Sequence, residues 1–195
     1  MSATAADLPP GRSSPLPLDP MFLDRWSPRS LRSEPLSARE VDTLFEAARW
    51  APSGGNGQPW MFLFADAEAG LARIRPLLED GNRVWADQAP LLAVLFARSR
   101  PGQEDENRWA PFDAGAAWMS LALQARKLGL FAHAMGGFHE QEVYAALGVD
   151  PKEWQAMVVI AVGRRGEPEA LPPKLQAREK PSARKPLEEI TRRIG

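Results

Sequence analysis

The run Met157-Val158-Val159-Ile160-Ala161-Val162 constrains the fold most. Six apolar, mostly β-branched residues without polar alternation describe a strand covered on both faces, so the chain must supply a layer on each side of it. Shorter strand candidates lie at Met61–Ala65, Leu91–Ala97 and Phe131–Met135. The covering layers are also visible. Ser37 followed by Glu40 is a capping box, and Val41, Leu44, Phe45 and Ala48 then recur at helical spacing, predicting a helix that ends near Ala51. Glu68–Leu78 reads as an amphipathic helix. Asp113 can cap a helix to about Lys127 that is apolar nearly all round, through Ala116, Ala117, Trp118, Met119, Leu121, Ala122 and Leu123. Gly129 and Gly148 stand where left-handed residues close a helix, the second after a short one at Glu140–Leu147. Helices and strands interleave without a strict βαβ rhythm, which favours an α+β or mixed three-layer sandwich over a doubly wound sheet.

A length of 195 residues with no long internal linker suits one domain over residues 21–195. Residues 1–20 are rich in Pro, Ser and Ala and read as a flexible tail. Residues 98–111, with Glu104-Asp105-Glu106, read as a solvated loop. From Glu167 onward the chain is Pro-rich and basic, and Pro186–Ile194 is a helical scrap too weak to stand alone. The 24 basic and 25 acidic residues, net charge -1, give no reason to expect nucleic acid or an anionic membrane as partner. The absence of cysteine excludes disulfides, thiolate metal sites and cysteine nucleophiles. No apolar stretch approaches the ~20 residues that span a bilayer, and Met1–Pro20 lacks the regions of a signal peptide, so a cytoplasmic location is expected.

Nucleophile elbows, Walker loops, zinc-protease helices and dinucleotide fingerprints are all missing. The two histidines, His133 and His139, read as packing or hydrogen-bonding residues, and no metal site is expected. Trp50, Trp60 and Trp118 suggest packing, and Trp85 and Trp109 either core or pocket wall. No side chain is assigned catalysis, so the chemistry must come from a cofactor.

Three separated pieces suit an anionic, planar cofactor. Arg25-Trp26-Ser27 puts a guanidinium and a hydroxyl close together, a pair that can hold a phosphate. Pro52-Ser53-Gly54-Gly55-Asn56-Gly57-Gln58-Pro59-Trp60 has too much Gly and Pro for a regular element, and offers polar groups to a flat ring. Met135-Gly136-Gly137-Phe138 can direct a backbone N–H at a ligand with no side chain in the way.

These pieces, with Lys127-Leu128-Gly129-Leu130 and Val162-Gly163-Arg164-Arg165, resemble in content and order the nitroreductase family of flavoenzymes, from about Phe22 to Pro186. Ala183-Arg184-Lys185-Pro186-Leu187 is similar to the family's closing basic segment. The resemblance implies a three-layer α/β/α sandwich with a mixed, mainly antiparallel sheet. It further implies a homodimer with FMN at the subunit interface and a C-terminal arm exchanged between subunits. By the same carry-over Arg25 and Ser27 meet the FMN phosphate with Trp26 beside them, and Arg165 and Arg184 are further phosphate candidates. Pro52, Ser53 and Asn56 approach the flavin from the other subunit, while Met135, Gly136 and Gly137 pass along the isoalloxazine with a glycine N–H toward N5. Trp26 and Gly136 depart from the residues usual there, and the variant loop of the flavin-destroying branch is absent. The implied activity is NAD(P)H-dependent reduction of nitroaromatics, quinones or conjugated carbonyls by a ping-pong hydride transfer. An idle flavin-binding sensor or store is the alternative.

Overall fold

Ser37 closes its capping box in the computed structural model, which describes residues 12–195: its hydroxyl accepts from the Glu40 N–H at 3.3 Å while its own N–H donates to Glu40 Oε2 at 2.8 Å. In chain order the elements are α1 (Pro20–Asp24), α2 (Ala38–Arg49), β1 (Trp60–Ala65), α3 (Glu68–Ile74), α4 (Asp80–Ala86), β2 (Leu91–Ala97), α5 (Ala110–Lys127), β3 (Phe131–Met135), α6 (Glu140–Leu147), β4 (Gln155–Gly163), α7 (Pro173–Gln176) and α8 (Leu187–Ile190). Among the described residues no helix is long and apolar enough to cross a membrane.

The four strands form one sheet in the order β1-β2-β4-β3, every pairing antiparallel. The expected α+β sandwich is therefore present, and its sheet, expected to be mixed and mainly antiparallel, is antiparallel throughout among the described residues. β4 lies inside, with Leu91 opposite Val162 and Phe131 opposite Gly163, which is why it carries no polar residue between Met157 and Val162. Its Val159 and Ala161 pack with residues of α3, α4 and α6, and its Ile160 and Val162 with residues of α2 and α5. β2 beside it is buried at all seven positions. β3 is an edge strand, and two of the three cofactor pieces of the sequence, Arg25-Trp26-Ser27 and Met135-Gly136-Gly137-Phe138, lie along it.

Four expectations shift. The helix from Glu68 ends at Ile74, where Pro76 turns the chain into a short 3-10 stretch. α4 was not foreseen, because Gly81 and Asn82 weaken its local signal; the buried Trp85 and Ala86 hold it instead. α5 begins three residues before Asp113, with Pro111 in its first turn. Asp113 is consequently not its cap: buried at 5% exposure, it accepts from the Gly54 N–H at 3.2 Å and anchors the loop after α2. Trp50 and Trp109 stand 74% and 61% exposed, so neither packs in the core, whereas Trp85 does.

Of the expected tail, residues 1–11 lie outside the described residues. Arg12 is buried and donates to the carbonyls of Leu23 (3.0 Å), Phe22 (3.3 Å), Arg25 (2.8 Å) and Ser182 (3.0 Å). It ties the end of α1 to the closing segment.

Gly163, where β4 ends, has no room for a side chain. A Cβ there would lie 2.9 Å from Cδ of Pro90 and 3.4 Å from the Arg32 carbonyl, neither of which can swing aside. Gly163→Ala should cost about 1–3 kcal/mol, read as a lower urea midpoint at unchanged slope. Stability equal to wild type would mean that the Pro90 ring yields.

Candidate functional site

The chain leaves α1 at Arg25 and runs over the open edge of β3, and the closing segment returns across the same edge. Between them lies a cavity of about 560 Å³ walled by Arg12, Arg25, Trp26, Ser27, Arg29, His133, Arg178, Lys180, Ser182 and Arg184, among others. The Arg25 guanidinium donates to Ser27 Oγ at 3.2 Å. Trp26 is buried edge-on against Phe131, centroids 6.1 Å apart, so its side chain serves packing at the cavity wall.

Six cationic side chains thus face one space, and the nearby carboxylates are committed elsewhere. Asp24 pairs with Arg126 at 2.8 Å. Glu179, 6% exposed, accepts from the N–H of Arg29 at 2.9 Å and of Ser30 at 2.9 Å, which pins the returning segment to the loop after α1. The consequence appears in the titration of the arginines. Burial first, then the positive Arg12 and Arg184, lower the pKa of Arg25. Burial first, then Arg178, lower that of Arg29, which Glu179 partly opposes. A partly buried cationic cluster that no carboxylate pairs at salt-bridge distance among the described residues favours an anion with several acceptor oxygens, and guanidiniums flanking a hydroxyl are a donor set suited to phosphate.

His133 belongs to the same wall. Its Nδ1 lies 3.0 Å from the Pro28 carbonyl, and its ring lies against Trp85 with centroids 4.6 Å apart. Burial, with Arg29 and Arg25 also acting against a positive charge, lowers its pKa to about 4 despite the Pro28 hydrogen bond. Because the folded value lies below the unfolded one, the unfolded chain binds the extra proton between them. Stability therefore falls as pH drops through that window and is retained above about 6.5. Between pH 6.5 and 5 the flavin-free protein should lose about 1.5 kcal/mol through this group, measured by urea unfolding. His133→Phe should flatten that slope; an unchanged slope would assign it to other groups.

The strand carries on from His133 to Met135, which is 3% exposed and packs in the core, so its side chain is not available to a ligand. Gly136 follows with open space where a Cβ would point. The Gly137 carbonyl accepts from the Glu79 N–H at 3.2 Å and from Asn82 Nδ2 at 2.9 Å, so α4 fixes the turn that presents Gly136. Gly136 lies about 10 Å along the strand from His133. A cationic pocket and a bare backbone turn thus sit at two ends of one edge strand.

Of the residues anticipated from sequence, Arg25, Trp26, Ser27 and Arg184 come together in the cavity. Arg165 stands just outside it, its guanidinium 5.3 Å from the Trp26 ring. Met135, Gly136 and Gly137 continue along β3. Pro52, Ser53 and Asn56 do not join them within one chain: their loop precedes β1, at the opposite edge of the sheet. That loop is held in shape by the Gln58 N–H donating to Ser53 Oγ at 2.9 Å, and Gly55, Asn56 and Gln58 take positive φ. Arg12, Arg29, Arg178, Lys180 and Glu179 were missed. The density of basic residues from Lys174 to Lys185 was a signal for the strap, while nothing local distinguishes Arg12.

The Nitroreductase family model matches residues 23–84 and 77–164. A solved structure described as an oxidoreductase containing FMN is 38% identical, superposes with a TM-score of 0.86, and is aligned over 92% of this chain and 93% of its own. A Streptomyces coelicolor protein provisionally named NADH dehydrogenase/NAD(P)H nitroreductase is 27% identical over 186 residues, 81% of this chain and 91% of its own length. An FMN-dependent nitroreductase from Clostridium difficile R20291, 22% identical over 77% of this chain and 88% of its own, shares the fold with a TM-score of 0.67. The three-layer sandwich with its cationic edge-strand pocket is thus a fold shared with an FMN-containing oxidoreductase. The chain belongs to the nitroreductase family.

Proposed function

We propose that this protein is an FMN-dependent oxidoreductase that uses NAD(P)H to reduce electron-poor small molecules of the nitroaromatic, quinone or conjugated carbonyl type. The observation that carries the proposal is the convergence of six cationic side chains on one cavity beside the Gly136 turn. The FMN in the 38% identical relative supports it. Bound FMN would supply the redox chemistry, taking hydride from NAD(P)H at N5 and passing electrons to the second substrate in a ping-pong cycle.

The chain's own residues bind and orient. Arg25, Ser27 and Arg184, with Arg12 and Arg29, would neutralise the phosphate and fix its position. Arg165 would hold Trp26 in place at the rim. The backbone of Met135, Gly136 and Gly137 would border the ring, a glycine N–H being the donor toward N5, with no side chain at Gly136 to hold the ring away. Donors aimed where negative charge grows on the ring favour its reduced form without any residue changing protonation.

The working unit is a homodimer in this reading. Trp50, Trp109 and Phe112 are exposed at 74%, 61% and 77%, and all three neighbour the Pro52–Asn56 loop, through the chain or through the Gly54–Asp113 hydrogen bond. Such aromatic exposure suits a protein interface, and an interface there would deliver Pro52, Ser53 and Asn56 to the partner's flavin. Leu187 and Ile190 of α8, 56% and 67% exposed, would pack on the partner as the exchanged arm. A cytoplasmic location fits an enzyme supplied with NAD(P)H.

The test is reoxidation. Flavoprotein reduced under nitrogen should be reoxidised by an added nitroaromatic or quinone much faster than by air alone. Reoxidation no faster than in air with every such acceptor would favour an idle flavin binder.

A further inference from the structure

Building on the FMN reading above, we infer that His133 is a cofactor-specificity residue whose Nε2 accepts a hydrogen bond from a hydroxyl of the ribityl chain. Three observations place it there. Its ring walls the phosphate cavity beside Arg25 and Ser27. It stands on β3 between that cavity and Gly136, so a ligand with its phosphate at Arg25 and its ring at Gly136 must carry its connecting chain past it. Its chemistry is also fixed: a carbonyl can only accept, so the 3.0 Å contact with Pro28 makes Nδ1 the protonated nitrogen. Nε2 is then a lone pair, with no hydrogen-bond partner among the described residues.

An acceptor is the wrong group for a phosphate and the right one for a sugar hydroxyl. The charges around it keep it an acceptor. Arg25 and Arg29 face it from the loop after α1, Arg178, Lys180 and Arg184 from the returning strap, and the neutral Trp85 covers it from α4. Burial, with Arg29 and Arg25, opposes a second proton and holds the pKa at about 4. The Trp85 stacking and the Pro28 contact leave the ring little freedom to turn, so the lone pair is aimed before a ligand arrives. A phenyl ring would fill the space without accepting.

The test compares FMN with a flavin carrying a ω-phosphopentyl chain at N10, which keeps ring and phosphate but has no hydroxyls. Both are titrated into wild type, His133→Phe and His133→Gln. Wild type should prefer FMN, His133→Phe should lose about tenfold of that preference, and His133→Gln, which retains an acceptor, should recover part of it. In ¹⁵N NMR of wild type, the His133 Nε2 signal should stay of lone-pair type and shift on adding FMN but not inorganic phosphate. Equal weakening of both flavins in His133→Phe, or an Nε2 signal that ignores FMN, would overturn the role of His133 and leave the FMN reading standing. Failure of wild type to bind either flavin would instead overturn the FMN reading, and this inference with it.

Discussion

Arg25→Gln should lower FMN affinity by two to three orders of magnitude while leaving the flavin-free protein at least as stable as wild type. The two halves have one cause. Charge-assisted hydrogen bonds contribute about 1.5–3 kcal/mol each, and a guanidinium can make two to a phosphate; the glutamine amide keeps one neutral donor, so a loss of about 3–4 kcal/mol of binding is expected. Without a ligand the same guanidinium is a partly buried cation repelled by Arg12 and Arg184, with only Ser27 Oγ as a hydrogen-bond partner among the described residues. Removing the charge relieves that repulsion. Flavin fluorescence titration and thermal unfolding of the flavin-free protein read the two effects separately. Weaker binding together with a lower melting temperature would mean that Arg25 is structural and that the cavity is not built for an anion.

Glu179→Ala should be the most damaging change outside the hydrophobic core. The carboxylate accepts from the N–H groups of Arg29 and Ser30, and Ser30 is only 2% exposed. Buried N–H groups left without an acceptor cost about 1–3 kcal/mol each. The expected loss is about 2–5 kcal/mol, concentrated where the strap carrying Arg178, Lys180 and Arg184 meets the loop carrying Arg25 and Arg29. Limited proteolysis should cut the variant between residues 172 and 186 far faster than wild type, and FMN affinity should fall with it. Glu179→Gln, which keeps one acceptor oxygen, should lie between. A strap as protected in Glu179→Ala as in wild type would show that other contacts hold it.

The parts of this fold that were legible in the sequence are those whose causes are local. The Ser37–Glu40 capping box, the left-handed Gly129 and Gly148 and the two-sided apolar run of β4 each depend on residues within one or two turns of chain. α4 was not legible because Gly81 and Asn82 argue against a helix, and its anchors are the buried Trp85 and the Asn82 contact with Gly137, 55 residues away. Asp113 misled for the same reason. Its residue type suits a cap, and only the fold reveals that Pro111 has already started the helix and that Gly54 takes the carboxylate.

The site divides along the same line. Arg25, Ser27, Gly136 and Gly137 were recognisable as short sequence pieces, whereas the strap's hold on them runs through Glu179 and Arg29, 150 residues apart. Arg12 reaches Ser182 across 170 residues, which no local pattern could indicate. His133 looked like a packing histidine, and it does pack against Trp85; its second nitrogen acquires meaning only once the cavity beside it is seen.

The most direct test of the central claim is a visible absorption spectrum. The purified protein is incubated with FMN, freed of excess by gel filtration, and then treated with NADH or NADPH under nitrogen. Retained oxidised-flavin absorbance that bleaches on adding the nicotinamide is the predicted result. A folded protein that emerges from the column without flavin would contradict the account.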